Sequence, residues 1–207
     1  MTASAEPGDV VVAGGDLRIR LMRDEDAEYE RLARWRNQPH VRAWWDPDDP
    51  PLSAAAAREE HRASVLGESP DRAAVIEFAG VPVGFVQFYP WAPYADELRR
   101  MEVSVPEGAW SLDILVGEPD MVGRGIGSRA VRLLCDHMLS RGASAVVFGV
   151  DVDNARARRA YLKAGMRETV EYTDLDVRDG QRIRAVLMVR TAEPRLSADR
   201  PSRPPAG

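Results

Sequence analysis

Trp110-Ser111-Leu112-Asp113-Ile114-Leu115-Val116 leads shortly into Val122-Gly123-Arg124-Gly125-Ile126-Gly127, and residues 128–140 follow with apolar positions at helical spacing. The order is strand, glycine turn, helix. Glycines let a backbone turn tightly and approach a ligand closely, while the free N–H groups and dipole of the first helical turn favour phosphate oxygens. No Lys-Ser/Thr pair follows the last glycine, so the run is not a P-loop. A dinucleotide fingerprint belongs near the start of a βαβ series, whereas here an antiparallel hairpin precedes it. On the run alone, a purely structural turn stays open. Within the strand, period-2 alternation groups residues 110, 112, 114 and 116 on an apolar face. Asp113 points the other way with Ser111 and Leu115. A mid-strand carboxylate shortly before a phosphate loop is a candidate for chemistry, with a solvent-facing strand residue as the alternative.

Outward from this centre, residues 73–78 and 83–89 predict a hairpin that turns at Ala79-Gly80-Val81-Pro82. Upstream, Asp24 is a candidate cap for a helix carrying Tyr29, Leu32, Ala33 and Trp35, which Arg36-Asn37-Gln38-Pro39 ends. Ser53 opens a second helix that stops near Gly67. Residues 1–15 read as a flexible N-terminal segment, with 10–13 either a hairpin strand or a lead-in to the strand at 17–21. Residues 90–106 read as a loop and 145–150 as a buried strand. Asn154 caps a helix with Ala157, Ala160, Tyr161 and Ala164 on one face, and Gly165 stops it. Strands at 168–172 and 183–190, joined across Asp179-Gly180, complete a single domain over 16–191. Residues 192–207, rich in proline, read as a disordered tail. The fold class is α+β, with one mixed central sheet flanked by helices.

The 207 residues, 44% hydrophobic and 29% charged, suit one globular domain. A net charge of −5 disfavours a nucleic-acid partner and leaves room for a cationic one. Cys135 is the lone cysteine, read as a core thiol in a helix, and the scattered His40, His61 and His137 offer no metal-ligand spacing. No secretory signal and no apolar run of membrane-spanning length are evident, so a cytoplasmic location without a membrane partner is expected.

The glycine run resembles the central signature of the GNAT acetyltransferases, Arg/Gln-x-x-Gly-x-Gly/Ala, with Val122 at its first position. Asn154-Ala155-Arg156-Ala157-Arg158-Arg159-Ala160-Tyr161-Leu162-Lys163-Ala164-Gly165-Met166 resembles a second element of that superfamily, with Met166 replacing the usual Phe. The resemblance spans residues 17–190 and implies acetyl-CoA as co-substrate, without a metal. By position, Leu115, Val116 and Gly117 would pair with the pantetheine arm. Gly123, Arg124, Gly125, Ile126, Gly127 and Ser128 would cradle the pyrophosphate, and Asn154 would meet the pantetheine.

Acetyl transfer to an amine needs a neutral nucleophile, a stabilised carbonyl oxygen and a protonated leaving thiolate. Asp113 is the candidate base and Tyr161 the candidate acid, the latter as implied by the matching family tyrosine. Trp35-Arg36-Asn37-Gln38-Pro39-His40-Val41-Arg42-Ala43-Trp44-Trp45 is similar to the early part of aminoglycoside 6′-N-acetyltransferases. Trp44, Trp45, Asp46, Asp96, Glu97, Asp113 and Asp151 are the candidate contacts for a small polycationic amine. The alternatives are a hydroxylysine acceptor, a protein N-terminus, and a silent acyl-CoA-binding module. Edge strands leave both monomer and homodimer open.

Overall fold

The computed structural model describes residues 10–178 and 180–192. Strands β1 (Val10–Gly14) and β2 (Leu17–Leu21) form an antiparallel hairpin across Gly15, which takes a left-handed φ of 64°. The sheet therefore begins at Val10, and a boundary at residue 16 would cut its first hairpin. Residues 1–9 and 193–207, read above as flexible, lie outside the described part.

Helices α1 (Asp26–Arg36), α2 (Pro39–Arg42) and α3 (Ala54–Leu66) come next. Asp24 does not cap α1. Its Oδ1 instead accepts from the Tyr29 hydroxyl at 3.0 Å and from Arg58 Nη1 at 2.6 Å, tying α1 to α3. Pro39 ends α1 and also starts α2, where its missing N–H costs nothing. Ser53 caps α3 by accepting from the Ala56 amide at 3.1 Å, and Gly67 closes it at a φ of 73°.

Strands β3 (Arg72–Phe78) and β4 (Val81–Pro90) form the expected hairpin. The segment expected to be a loop contains a short helix, α4 (Ala95–Arg100). Strand β5 (Trp110–Val116), helix α5 (Ile126–Ser140), strand β6 (Ala145–Asp151) and helix α6 (Ala155–Lys163) follow, and β7 (Arg167–Arg178) and β8 (Gln181–Thr191) complete the chain.

The sheet order is β1-β2-β3-β4-β5-β6-β8-β7. Every neighbouring pair is antiparallel except β5 and β6, which run parallel and meet only at Trp110 and Val146. Beyond that point the two strands part.

Side-chain alternation builds a core on each face. Leu112, Ile19 and Ile76 pack with Ile126, Ala130, Leu134 and Met138 of α5. Leu115, Phe85 and Val75 pack with Tyr29, Leu32 and Trp35 of α1. Fully burying a Leu or Ile side chain contributes about 1.5–3 kcal/mol, so each helix is anchored by a handful of such contacts. Cys135 is wholly buried against Met166, and burial pushes its thiol up to about 12, as suits a core residue.

Candidate active site

The parting of β5 and β6 opens a cleft of about 1100 Å³. Backbone accounting explains what its β5 edge offers. The Gly117 amide donates to the Val83 carbonyl at 2.9 Å, so it is turned toward β4. Neighbouring strand residues direct their backbone groups to opposite sides. Leu115, like Gly117, thus turns its backbone groups toward β4, although Leu115 still lines the cleft, and of the three expected donor contacts Val116 directs its backbone into the gap. His40 Nε2 lies 2.9 Å from the Val116 carbonyl oxygen and occupies that acceptor. Gly117 has a packing reason as well: a Cβ there would sit 2.0 Å from Trp35 Cγ.

After β5 a single turn at Pro119–Met121 brings the glycine run to the mouth of the gap. Gly123 and Gly125 take φ values of 80° and 77°, which side chains rarely adopt. Gly125 is the N-cap of α5, so the helix starts at Ile126, two residues earlier than its sequence pattern suggests. Ile126 is buried in the core and fixes the first turn, leaving its amide and those of Gly127 and Ser128 without intrahelical acceptors. Ser128 Oγ donates to the Gly125 carbonyl at 3.0 Å. Gly123, Gly125, Gly127 and Ser128 line the cleft, while Arg124 is exposed and does not. Asn154 also lines it and caps α6, its Oδ1 accepting from the Ala157 amide at 3.1 Å.

Asp113 stands half-buried on β5, opposite Gln87 of β4, whose Nε2 donates to Asp113 Oδ2 at 2.7 Å. Burial raises its carboxyl above the ordinary range, the hydrogen bonds from Gln87 and Tyr89 pull it back, and the charges of Asp174 and Asp71 push it up again. Tyr161 reaches the cleft from α6, its ring edge-on to Phe148 at 4.9 Å. Burial and then the Asp113 charge raise its phenol, so it keeps its proton at neutral pH. Asp113 and Tyr161 line the same cleft, and the two are electrostatically coupled.

The acceptor candidates divide. Trp44, 37% exposed, and Trp45 both line the cleft, and Trp45 also packs on the α1 core with the Arg36 guanidinium 4.8 Å from its ring centre. Asp46 is ion-paired with Arg36 at 2.5 Å yet still borders the cleft. Burial raises its carboxyl despite that partner. Glu97 lines the cleft; Asp96, one residue earlier on α4, does not, and pairs with Arg99 outside it. Asp151 lines the cleft but is ion-paired with Arg178.

Sequence reasoning missed Asp174 and Asp176. Strand β7 runs six residues beyond the expected end at 172 and carries both acids to the cleft. The Tyr172 hydroxyl donates to Asp174 Oδ2 at 2.8 Å. Burial, and then the charges of Asp174, Asp46, Asp113 and Glu97, push Asp176 up to about 6. Five carboxylates from four parts of the chain, β7 supplying two, therefore share one field. Among the described residues, no three of His, Cys, Asp and Glu converge closely enough to hold a metal ion, and no helix is long and apolar enough to cross a membrane.

A parallel strand pair that parts over a glycine loop and helix N-terminus is an arrangement able to hold phosphate oxygens. The family model for the acetyltransferase (GNAT) domain matches residues 24–174, and the chain belongs to that family. It is 26% identical over 185 residues to aminoglycoside N(6′)-acetyltransferase type 1 of Klebsiella pneumoniae, covering 89% of this chain and 87% of the relative. The same figures hold for the enzyme of that name from Serratia marcescens. Among solved structures, AAC(6′)-Ib with ribostamycin and coenzyme A superposes with a TM-score of 0.70 at 24% identity, covering 86% of this chain and 94% of that one. RimL, a ribosomal α-N-protein acetyltransferase in complex with coenzyme A, reaches the same TM-score of 0.70 at 14% identity, covering 88% and 97%. The fold is therefore common to enzymes with unlike acceptors. The chemistry that belongs to the whole family is acetyl transfer from acetyl-CoA.

Proposed function

We propose that this acetyltransferase moves the acetyl group of acetyl-CoA to a primary amine of a small polycationic amino sugar, the 6′-amine of an aminoglycoside. The observation that carries the reading is the set of carboxylates that gathers with Asp113 and Asp176 in one cleft, where burial and then the neighbouring charges raise Asp176 to about 6. Such a field is costly to the empty protein and is relieved by bound ammonium groups. The 26% identity to the aminoglycoside enzymes supports the same acceptor.

Asp113 acts as base. An amine is mostly protonated near neutral pH; the carboxylate attracts the ammonium group, accepts its proton and leaves a lone pair for the thioester carbonyl carbon. Gln87 and Tyr89 orient the carboxylate, and its upward shift makes it a better proton acceptor than a solvated aspartate. As the tetrahedral adduct collapses, the carbon–sulfur bond breaks, Tyr161 donates its phenolic proton to the departing thiolate, and the second proton shed by the new amide nitrogen passes through water to restore the phenol. The α5 N-terminus and the glycines hold the donor's phosphates, and the gap-facing backbone of Val116 takes up its amide-bearing arm.

The test is spectrophotometric CoA release with kanamycin-type aminoglycosides, hydroxylysine compounds and peptides. Turnover of aminoglycosides with kcat/KM well above the others is expected. Turnover of peptides or hydroxylysine alone would overturn the acceptor, and no turnover with any amine would favour a silent acyl-CoA-binding module.

A further inference from the structure

Arg178 occupies a position suited to a cationic ligand. Its guanidinium carbon lies 4.9 Å from the centre of the Trp44 ring, and one of its amino groups is ion-paired with Asp151 Oδ2. Its Nε is buried with no hydrogen-bond partner. Trp44 comes from the loop after α2, Asp151 from the end of β6 and Arg178 from the end of β7, so the contact bridges the cleft that all three residues line. An aromatic face beside a carboxylate is the combination that recognises an ammonium or guanidinium group. A contact kept for stability alone would be expected to satisfy every buried donor, and this one leaves Nε orphaned.

We propose that Arg178 is a specificity-determining residue, an internal cation that fills the Trp44–Asp151 subsite and closes it to the ammonium groups of an acceptor. Cation recognition is thereby confined to the side of the cleft held by Asp113, Asp174 and Asp176. The inference rests on the acceptor being a polycationic amine, and it explains why Asp151, an acid at the cleft wall, is not itself a free contact. Arg178→Gln removes the resident charge, exposes the Trp44 face and frees the Asp151 carboxylate. A polycation then gains a cation–π contact and a charge-assisted partner, worth about tenfold in affinity. A monoamine, held at Asp113, changes by about twofold or less. Arg178→Lys keeps a positive charge in place and stays near wild type with both ligands.

Calorimetric titration of kanamycin and of glucosamine into CoA-saturated wild-type, Arg178→Gln and Arg178→Lys proteins separates these cases, with acetyl transfer by the wild type measured in parallel. Kanamycin binding tightened only in Arg178→Gln supports the assignment. Unchanged or weaker binding in that variant, an equal change in both variants, or no binding to any of the proteins overturns it. Transfer to kanamycin without the affinity gain removes the role of Arg178 and keeps the acceptor; the affinity gain without transfer does the reverse. Arg178→Met keeps most of the stem, drops the charge and repeats the comparison if the Gln variant does not fold.

Discussion

Replacing Asp176 by Asn should stabilise the protein above neutral pH while weakening its grip on a polycation at that same pH. The Asp176 carboxyl is raised from 3.8 to about 6, first by burial and then by Asp174, Asp46, Asp113 and Glu97. Two units at 1.36 kcal/mol each come to about 3 kcal/mol. Asp176 remains exposed on one side, so water screens much of that field and roughly 1 kcal/mol is the reasonable expectation. The folded chain holds this proton more tightly than the unfolded chain does. The penalty is therefore absent below the unfolded value near pH 4, grows as pH rises, and is complete above about pH 6. Asn cannot ionise and escapes it. Urea unfolding should show the variant ahead by about 1 kcal/mol at about pH 8 and level with wild type at about pH 4. Over the same range KM for an aminoglycoside should rise in the variant, since a cation that once relieved the repulsion has one partner fewer. A variant no more stable than wild type at the higher pH would refute the shared carboxylate field.

Gly125→Val forces a β-branched side chain into a left-handed φ of 77° at the start of α5, and CoA affinity measured by calorimetry should fall by tenfold or more, about 1.4 kcal/mol. Gly117→Ala drives a methyl to within 2.0 Å of Trp35 Cγ, in a core that cannot yield. Chemical denaturation should show a loss of about 1–3 kcal/mol. Tyr161→Phe should lower kcat by about 10²-fold with KM for acetyl-CoA little changed. Because the Tyr161 phenol is raised above 10, the wild-type rate should show no alkaline fall from its ionisation up to that pH.

The glycine run and its helix were legible in the sequence because both effects are local: φ freedom and an unpaired helix terminus are written into adjacent residues. Asp113 was legible through strand alternation, and Tyr161 through family resemblance and its helix face. The parting of β5 and β6 was not, because a single paired position, Trp110 with Val146, is set by packing on both sides of the sheet. Nor were Asp174 and Asp176. Aspartate is poor in strands, so Asp174-Leu175-Asp176 reads as the end of one, yet pairing with β8 carries β7 through to Arg178. His40 lies inside the Trp35–Trp45 stretch, yet its spacing assigns it no role, and only the tertiary fold brings its ring to the Val116 carbonyl. For Leu115, Val116 and Gly117 the limit is phase: three consecutive strand residues cannot all point backbone groups at one ligand, so Val116 does, while Leu115 lines the cleft with its backbone turned to β4.

The most direct measurement locates the acetyl group in the product of kanamycin and acetyl-CoA by nitrogen-resolved NMR, with Asp113→Asn assayed beside the wild type. A single acetyl on the 6′ nitrogen is expected, with kcat/KM in the variant reduced by about 10²–10⁴-fold and CoA affinity retained. An acetyl on another nitrogen, no product, or an Asp113→Asn enzyme with wild-type kcat/KM would contradict the assignment of Asp113 as the base beside the reacting amine.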